Sequence, residues 1–200
     1  NMSSLRAITC GIPQGSILDP LLFVIYMNDI VHVSSVMKII LFADDTNLLL
    51  NSTNLNDLIA TANTEIQKIS DWLKINKLSL NIKKTHFILF HFRQKKITLD
   101  FKLKIDNSEV EQANFTKFLG VVLQENLSWK NHISILSNRI HKNVGVLRAL
   151  KHKLPTNILF KLYNTLVYPY LQYCNIAWAS QQNIHIKNLF ILQKKSIRVV

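Results

Sequence analysis

The chain has 200 residues, of which 48% are hydrophobic and 18% charged, and its formal net charge is +12. This composition excludes a disordered chain, and the longest apolar run, Pro20 to Met27, is too short to cross a bilayer. No signal peptide is recognisable near the first residue, and Cys10 and Cys174 lack disulfide or metal-binding spacing, so both are predicted to be reduced thiols of an intracellular protein.

The charge is distributed unevenly along the chain. Residues 1–70 carry three basic and six acidic side chains, a net charge of −3, whereas residues 71–200 carry 21 basic and six acidic ones, a net charge of +15. No acidic residue follows Glu125, although eleven Lys or Arg do. This asymmetry indicates a front part that holds cations and a rear part that contacts a polyanion. For any single basic residue, a solubilising surface role is the alternative.

The first predicted elements surround two acidic residues. The segment Gly11 to Pro20 is rich in turn residues, and the apolar run that follows it predicts a buried helix or strand, between which periodicity does not decide. Residues 37–50, MKIILFADDTNLLL, predict a hairpin of two short apolar strands around Asp44 and Asp45. Two adjacent carboxylates there are costly unless they lie in a solvated turn or meet a metal ion. Both explanations remain open at this point.

A helix is predicted after this hairpin. Apolar residues keep helical spacing from Leu55 to Leu73. Thr53 or Asn54 is the candidate N-cap, and Asn76 is predicted to take the left-handed position after the last turn.

Three strands are predicted next, over residues 85–92, 97–105 and 116–123. The middle one alternates strictly, which places one row of apolar side chains on one face: Ile97, Leu99, Phe101, Leu103 and Ile105. The polar residues that follow it, 106–108, predict a turn.

Beyond residue 126 the apolar spacing becomes helical. A long helix is indicated by Trp129, Ile133, Leu136, Ile140, Val144, Leu147 and Leu150. A break at Leu154 and Pro155 precedes a second helix over residues 156–171, and residues 186–200 predict a third. The sequence therefore predicts an α+β part, residues 1–125, followed by a basic, all-helical part, residues 126–200.

Five sequence blocks, in this order, resemble the reverse transcriptases of non-LTR (LINE-like, jockey-type) retrotransposons. They are GIPQGSILDPLLFVIYMNDI (11–30), LFADDTNLLL (41–50), WLKINKLSLNIKKT (72–85), FLGVVLQENLSWKNHI (118–133) and LPTNILFKLYNTLVYPYLQY (154–173). In that family the second block carries the F/YxDD motif and the fourth is the primer grip. The resemblance implies the rear half of a polymerase palm, built from an antiparallel sheet with helices, followed by a helical thumb.

The resemblance implies a role for each matching position. Asp44 and Asp45 would bind Mg²⁺, or Mn²⁺, for two-metal nucleotidyl transfer, and Lys84 would assist pyrophosphate departure. The pocket for the incoming nucleotide and the template base would be lined by Pro13, Gln14, Gly15 and Ser16. The primer strand would be held by Phe42, Phe118, Leu119 and Gly120. The nucleic-acid backbone would be contacted by Lys130, Arg139, Lys142, Arg148, Lys151 and Lys153.

Several of these residues also have ordinary structural explanations. Lys84 could be a solvated lysine before a strand, and residues 118–120 could be a core strand with a turn glycine. Core packing is the better interpretation for Trp72, Trp129 and His132, because each has apolar neighbours at helical spacing.

The resemblance implies that the family's third catalytic carboxylate and its fingers precede the PQG block. Asp19 and Asp29, the only acidic residues before Asp44, do not lie in the context of that earlier strand. We therefore expect the intact parent, and not this chain alone, to be an RNA-directed DNA polymerase that extends a DNA primer on an RNA template with deoxynucleoside triphosphates. The expected location is the nucleus or the cytoplasm, and no membrane is expected as a partner. A non-catalytic nucleic-acid-binding remnant and a maturase-like splicing cofactor are the alternative functions.

Overall fold

A computed structural model describes residues 15, 17–92, 102–179 and 184–200. The helices are α1 (Leu18–Met27), α2 (Leu55–Ile75), α3 (Lys130–Leu150), α4 (Thr156–Leu166), α5 (Tyr168–Gln172), α6 (Asn175–Trp178) and α7 (Ile184–Ile197). The strands are β1 (Lys38–Phe42), β2 (Asp45–Leu49), β3 (His86–Phe87), β4 (Lys104–Ile105), β5 (Ser108–Glu109), β6 (Glu111–Gln112), β7 (Phe115–Phe118) and β8 (Val121–Gln124). Short 3-10 segments are present at Asn28–His32 and Ile82–Lys84. Helices with small antiparallel sheets confirm the predicted α+β class.

The chain divides into two compact units. The first comprises residues 1–86 and 99–111, and the second comprises residues 87–98 and 112–200. The β7–β8 hairpin therefore groups with the C-terminal helices. The predicted boundary between palm and thumb near residue 126 remains a prediction.

The core of the first unit lies beneath the β1–β2 hairpin. Its buried side chains are Met27, Ile30 and Ile69. Partly buried side chains pack around them from α1, α2 and the hairpin: Phe23, Val33, Ile39, Leu41, Leu48, Trp72, Leu73 and Leu78. The two strands are thus supported on one face by helices, which holds the hairpin in place.

The apolar run before this hairpin is helix α1, but the prediction that it is buried is wrong. Only Met27 of this helix is buried, and Ile25, for example, is 61% exposed. The run is apolar on every side, so only a stripe of a single helix can face the described core while the remaining side chains meet solvent.

Helix α2 confirms most of the prediction made for it. The Asn54 side chain accepts a hydrogen bond from the Asn56 N–H at 3.0 Å, as expected for an N-cap. Asn76 was predicted to take the left-handed position after the last turn, and this prediction is wrong, because Lys77 takes it with a φ of 54°. The Asn76 side chain instead donates to the Trp72 carbonyl, and the Leu78 N–H donates to the Leu73 carbonyl at 2.8 Å, which closes a Schellman motif.

The β4–β5 hairpin is anchored to α2 through Asp106. This residue forms the predicted turn with a φ of 52°, and its carboxylate accepts from Ser70 Oγ at 3.1 Å and Gln67 Nε2 at 3.0 Å. The hydrogen bond from Lys74 holds the pKa of Asp106 below its usual value. The predicted alternation holds for Leu103 and Ile105, which are buried, whereas Ile97, Leu99 and Phe101 lie outside the described residues.

Two of the predicted strands differ in the structure. Of residues 85–92, only His86 and Phe87 form a regular strand. Residues 116–123 are not one strand but most of a hairpin, β7–β8, since Leu119 and Gly120 have φ values of 44° and 85° and reverse the chain.

The second unit is built around α3, as predicted. Buried side chains of α3 pack with residues from α4, α6, α7 and the chain that follows them: Ile133, Leu136, Ile140, Val144, Leu147, Tyr163, Val167, Trp178, Leu189 and Val199. The single helix predicted over residues 156–171 is divided into α4 and α5, with Pro169 in the first turn of α5 because it cannot supply an N–H to a continuous helix. The third predicted helix ends at Ile197 rather than Val200.

Candidate catalytic hairpin and nucleic-acid interface

The two acidic residues lie at the end of a two-residue hairpin. The β1–β2 ladder runs from the pair Lys38 and Leu49 to the pair Phe42 and Asp45, which leaves only Ala43 and Asp44 in the turn. Ala43 has a φ of 50°, in the left-handed region that costs a residue with a Cβ about 1–2 kcal/mol. The ladder on one side and the helices beneath it hold the turn in this conformation.

The carboxylates of Asp44 and Asp45 are exposed, whereas Ile39, Leu41 and Leu48 of the same hairpin pack against the core. Phe42, the aromatic residue of the motif, is 58% exposed. In the described part of the chain, no ion pair joins either carboxylate to a basic side chain. The cost expected for two adjacent charges between apolar strands is therefore reduced by solvent.

The donor chemistry of this turn fits part of a site for a hard divalent cation. Two carboxylates offer the oxygen ligands that Mg²⁺ takes together with water and substrate phosphates. Among the described residues, no cluster of three or more His, Cys, Asp or Glu could hold a metal ion. A metal site here would therefore take two protein ligands from Asp44 and Asp45 and its remaining oxygen ligands from elsewhere.

The other residues predicted for the nucleotide pocket are only partly described. Gly15 is exposed with a φ of 91°, a conformation that favours glycine, and the space around it is open. Pro13, Gln14 and Ser16 lie outside the described residues. Lys84 is exposed in the 3-10 turn Ile82–Lys84, and its N–H donates to the Asn81 carbonyl at 3.0 Å.

The residues predicted to hold the primer lie on two different hairpins. Phe42 is next to the acidic turn of the first unit, whereas Phe118, Leu119 and Gly120 form the end of β7 and its turn in the second unit. The Leu119 carbonyl accepts a hydrogen bond from Tyr173 Oη at 2.6 Å. The sequence offered no signal for this contact, because the two residues are 54 positions apart.

Beneath this second hairpin, His132 is a packing residue, as expected. It is 3% exposed, its Nδ1 accepts from the Val122 N–H at 3.2 Å, and its burial lowers its pKa. The centre of its ring lies 6.2 Å from the ring centre of Trp129 and 5.8 Å from that of Trp178. Trp129 and Trp72 also pack against apolar clusters, which confirms the structural interpretation of both.

The six basic residues predicted to contact the nucleic-acid backbone are all exposed, along α3 and the turn after it: Lys130, Arg139, Lys142, Arg148, Lys151 and Lys153. The Arg139 guanidinium lies 5.2 Å from the centre of the Tyr170 ring. Lys151 Nζ donates to the Arg198 carbonyl at 3.4 Å, so the ends of α3 and α7 are close together. The side chains remain accessible for phosphates.

Residues 1–123 match the sequence model of the reverse transcriptase (RNA-dependent DNA polymerase) family. The chain belongs to the reverse transcriptase family. The family match includes the β1–β2 hairpin with its Asp44–Asp45 turn and extends to Leu123 of β8. The resemblance found in the five sequence blocks is confirmed.

Two relatives of this reverse transcriptase chain come from mobile elements of Drosophila. It is 24% identical to the probable RNA-directed DNA polymerase from transposon X-element of Drosophila melanogaster, over 100% of this chain and 22% of the relative. It is 25% identical to the RNA-directed DNA polymerase from mobile element jockey of Drosophila funebris, over 99% of this chain and 22% of that protein. The chain thus spans about a fifth of the length of these curated relatives. No solved structure matches it.

Within the described ranges, no helix is both long enough and apolar enough to span a membrane.

Proposed function

We propose that this chain contributes the metal-binding hairpin and the helical thumb of an RNA-directed DNA polymerase. The observation that carries the proposal is the two-residue turn, which presents two adjacent exposed carboxylates on strands supported from below. Membership of the reverse transcriptase family implies dependence on divalent metal, an RNA template and nucleotide substrates. The finer assignment is Mg²⁺ or Mn²⁺ as the ion, DNA as the primer and an intracellular location, in nucleus or cytoplasm.

In the proposed reaction Asp44 and Asp45 hold the divalent ions. When bound, such ions neutralise the charge that develops on the phosphate oxygens during nucleotidyl transfer. The hairpin holds the backbone of both residues in place, so the turn needs little reorganisation when the substrate binds. Lys84 supplies a proton or a positive charge for the departing pyrophosphate, and the backbone at Gly15 approaches the incoming nucleotide.

In the proposed function, the second unit binds the template and primer. The turn at Leu119 and Gly120 contacts the primer strand, and the exposed basic residues of α3 contact backbone phosphates. No acidic residue lies in residues 126–200 to repel that backbone.

The test is primer extension by the complete protein on an RNA template, with Asp44→Asn and Asp45→Asn compared with wild type. Each substitution removes a metal-binding charge, so the rate of incorporation is expected to fall by at least about 100-fold. Asp57→Asn is the matched control, since Asp57 is an exposed carboxylate in the first turn of α2. Unchanged incorporation by the Asp44 variant would contradict the proposal.

A nucleic-acid-binding protein without catalysis is the second candidate function. Two observations favour it. The described residues bring together only two carboxylates as candidate metal ligands, and residues 126–200 are basic. Retention on an RNA–DNA heteroduplex without primer extension by the complete wild-type protein would favour this candidate over the polymerase.

A further inference from the structure

The turn of the β7–β8 hairpin has a backbone conformation that is unfavourable for one of its two residues, Leu119. Phe118 and Val121 are the last ladder pair, so Leu119 and Gly120 alone reverse the chain. Both have positive φ, 44° and 85°, as in the primed turns that usually carry Asn-Gly. Leucine at the first position has no side-chain group to stabilise this conformation. Its backbone therefore requires support from outside the hairpin.

That support comes from Tyr173, immediately after α5. Its hydroxyl donates to the Leu119 carbonyl at 2.6 Å, a carbonyl in the turn and outside the strand ladder. Its ring covers the next residue, because a Cβ built on Gly120 would lie 3.4 Å from a ring carbon of Tyr173. Tyr173 thus holds the turn by one hydrogen bond and by van der Waals contact.

Tyr173 is itself held by the core of the second unit. Its carbonyl accepts from the Trp178 indole N–H at 2.9 Å, and Trp178 is 2% exposed. The next residue, Cys174, has a left-handed backbone with a φ of 51° and directly precedes α6. Because His132, which packs against Trp178, also accepts from the Val122 N–H, the hairpin is joined to the helices at two separate points.

We infer that Tyr173 is a positioning residue for the primer strand: its hydroxyl holds the Leu119–Gly120 turn in the orientation that places the primer end. This inference rests on the proposed function, because that function assigns the turn to the primer. A turn held by Tyr173, whose carbonyl is bonded to the buried Trp178, needs little ordering when the primer binds. A released turn samples other conformations and places the primer end less accurately.

The test removes only the hydroxyl, by Tyr173→Phe in the complete protein. The probe is an RNA template annealed to a DNA primer with a photoreactive thymidine analogue at its 3′ end, and the readout is the cross-linking yield to the peptide that contains residues 118–120. We expect wild type to cross-link and the yield of Tyr173→Phe to be about fivefold to tenfold lower, in line with the removal of one hydrogen bond. Total heteroduplex affinity and thermal unfolding are expected to stay within about twofold and about 2 °C of wild type.

Tyr168→Phe is the matched control, since Tyr168 is an exposed tyrosine at the start of α5 and its ring packs against Tyr163. It is expected to cross-link like wild type. Equal yields from Tyr173→Phe and wild type would overturn the inference, and so would a wild-type protein that binds the heteroduplex without cross-linking through this turn. Neither result depends on incorporation, so the Asp44→Asn comparison judges the proposed function separately.

Discussion

Phe42 and Asp45 lie directly opposite each other as the last pair of the β1–β2 ladder. Opposite residues of an antiparallel pair project to the same face of the sheet, with their Cβ atoms about 4.5–5.5 Å apart. The aromatic ring of the motif is therefore the cross-strand neighbour of the second carboxylate, whereas Asp44 stands in the turn itself. Although adjacent in sequence, the two aspartates occupy different structural positions and are expected to respond differently to changes at Phe42.

This chain alone is expected not to extend a primer. The described residues bring two carboxylates together and no third acidic or metal-binding side chain, so the divalent ions of a two-metal site would have too few protein ligands there. The measurement is incorporation of labelled deoxynucleotide on an RNA template with Mg²⁺, with the complete protein as positive control. Extension by the chain alone would contradict this prediction.

Binding of the chain to an RNA–DNA heteroduplex is expected to depend strongly on salt through the basic residues of the second unit. Combining Arg148→Gln, Lys151→Gln and Lys153→Gln should weaken binding and reduce the slope of log K against log salt by about one for each phosphate that the protein no longer neutralises. The matched control combines Lys38→Gln, Lys77→Gln and Lys104→Gln, three exposed lysines of the first unit. An equal decrease of the slope in both variants would indicate non-specific attraction to net charge.

The stability of the chain is expected to fall in mild acid through His132. Burial holds the pKa of His132 below its usual value of 6.5, so below that pH the unfolded chain takes up a proton that the folded chain does not. The contribution of neutral His132 to the free energy of unfolding is thus complete above about pH 6.5, and it decreases by up to about 1.4 kcal/mol per pH unit below that pH.

Urea unfolding between pH 7 and pH 5 measures this effect. His132→Asn keeps an acceptor near the Val122 N–H and removes the titration, so its stability should depend less on pH. His141→Asn changes an exposed histidine of the same helix and should retain the wild-type dependence. A wild-type pH profile in the His132 variant would show that other groups cause the change.

Replacing Ala43 with glycine is expected to stabilise the first unit. Glycine adopts the left-handed conformation of the turn without the penalty of a Cβ, and the gain exceeds its greater loss of chain entropy by about 0.5–1 kcal/mol. Ala60→Gly, at an exposed position within α2, is the control and should destabilise by about 1 kcal/mol. The free energies of unfolding of both variants are measured by urea titration. Destabilisation by Ala43→Gly would contradict the interpretation that Ala43 strains the turn.

The sequence predicted those features that neighbouring residues encode. The N-cap at Asn54, the hairpin around Asp44 and the long helix α3 follow from spacing, turn chemistry and capping over a few residues. Predictions failed where contacts that the apolar spacing does not encode determined the backbone. Lys77 rather than Asn76 takes the left-handed conformation because the Asn76 side chain bonds back to Trp72, and residues 116–123 bend where Leu119 adopts a conformation unusual for leucine.

By itself, then, the sequence determined the family, the elements around the candidate metal site and the separation of charge between the two ends of the chain. Only the tertiary structure decided that α1 exposes most of its apolar side chains, that Asp106 anchors a hairpin to α2 and that Tyr173 supports Leu119. The physical reason is the range of the interactions. Periodicity and caps act between residues within one or two turns, whereas contacts between distant residues form only after the packing of whole elements has closed the intervening chain.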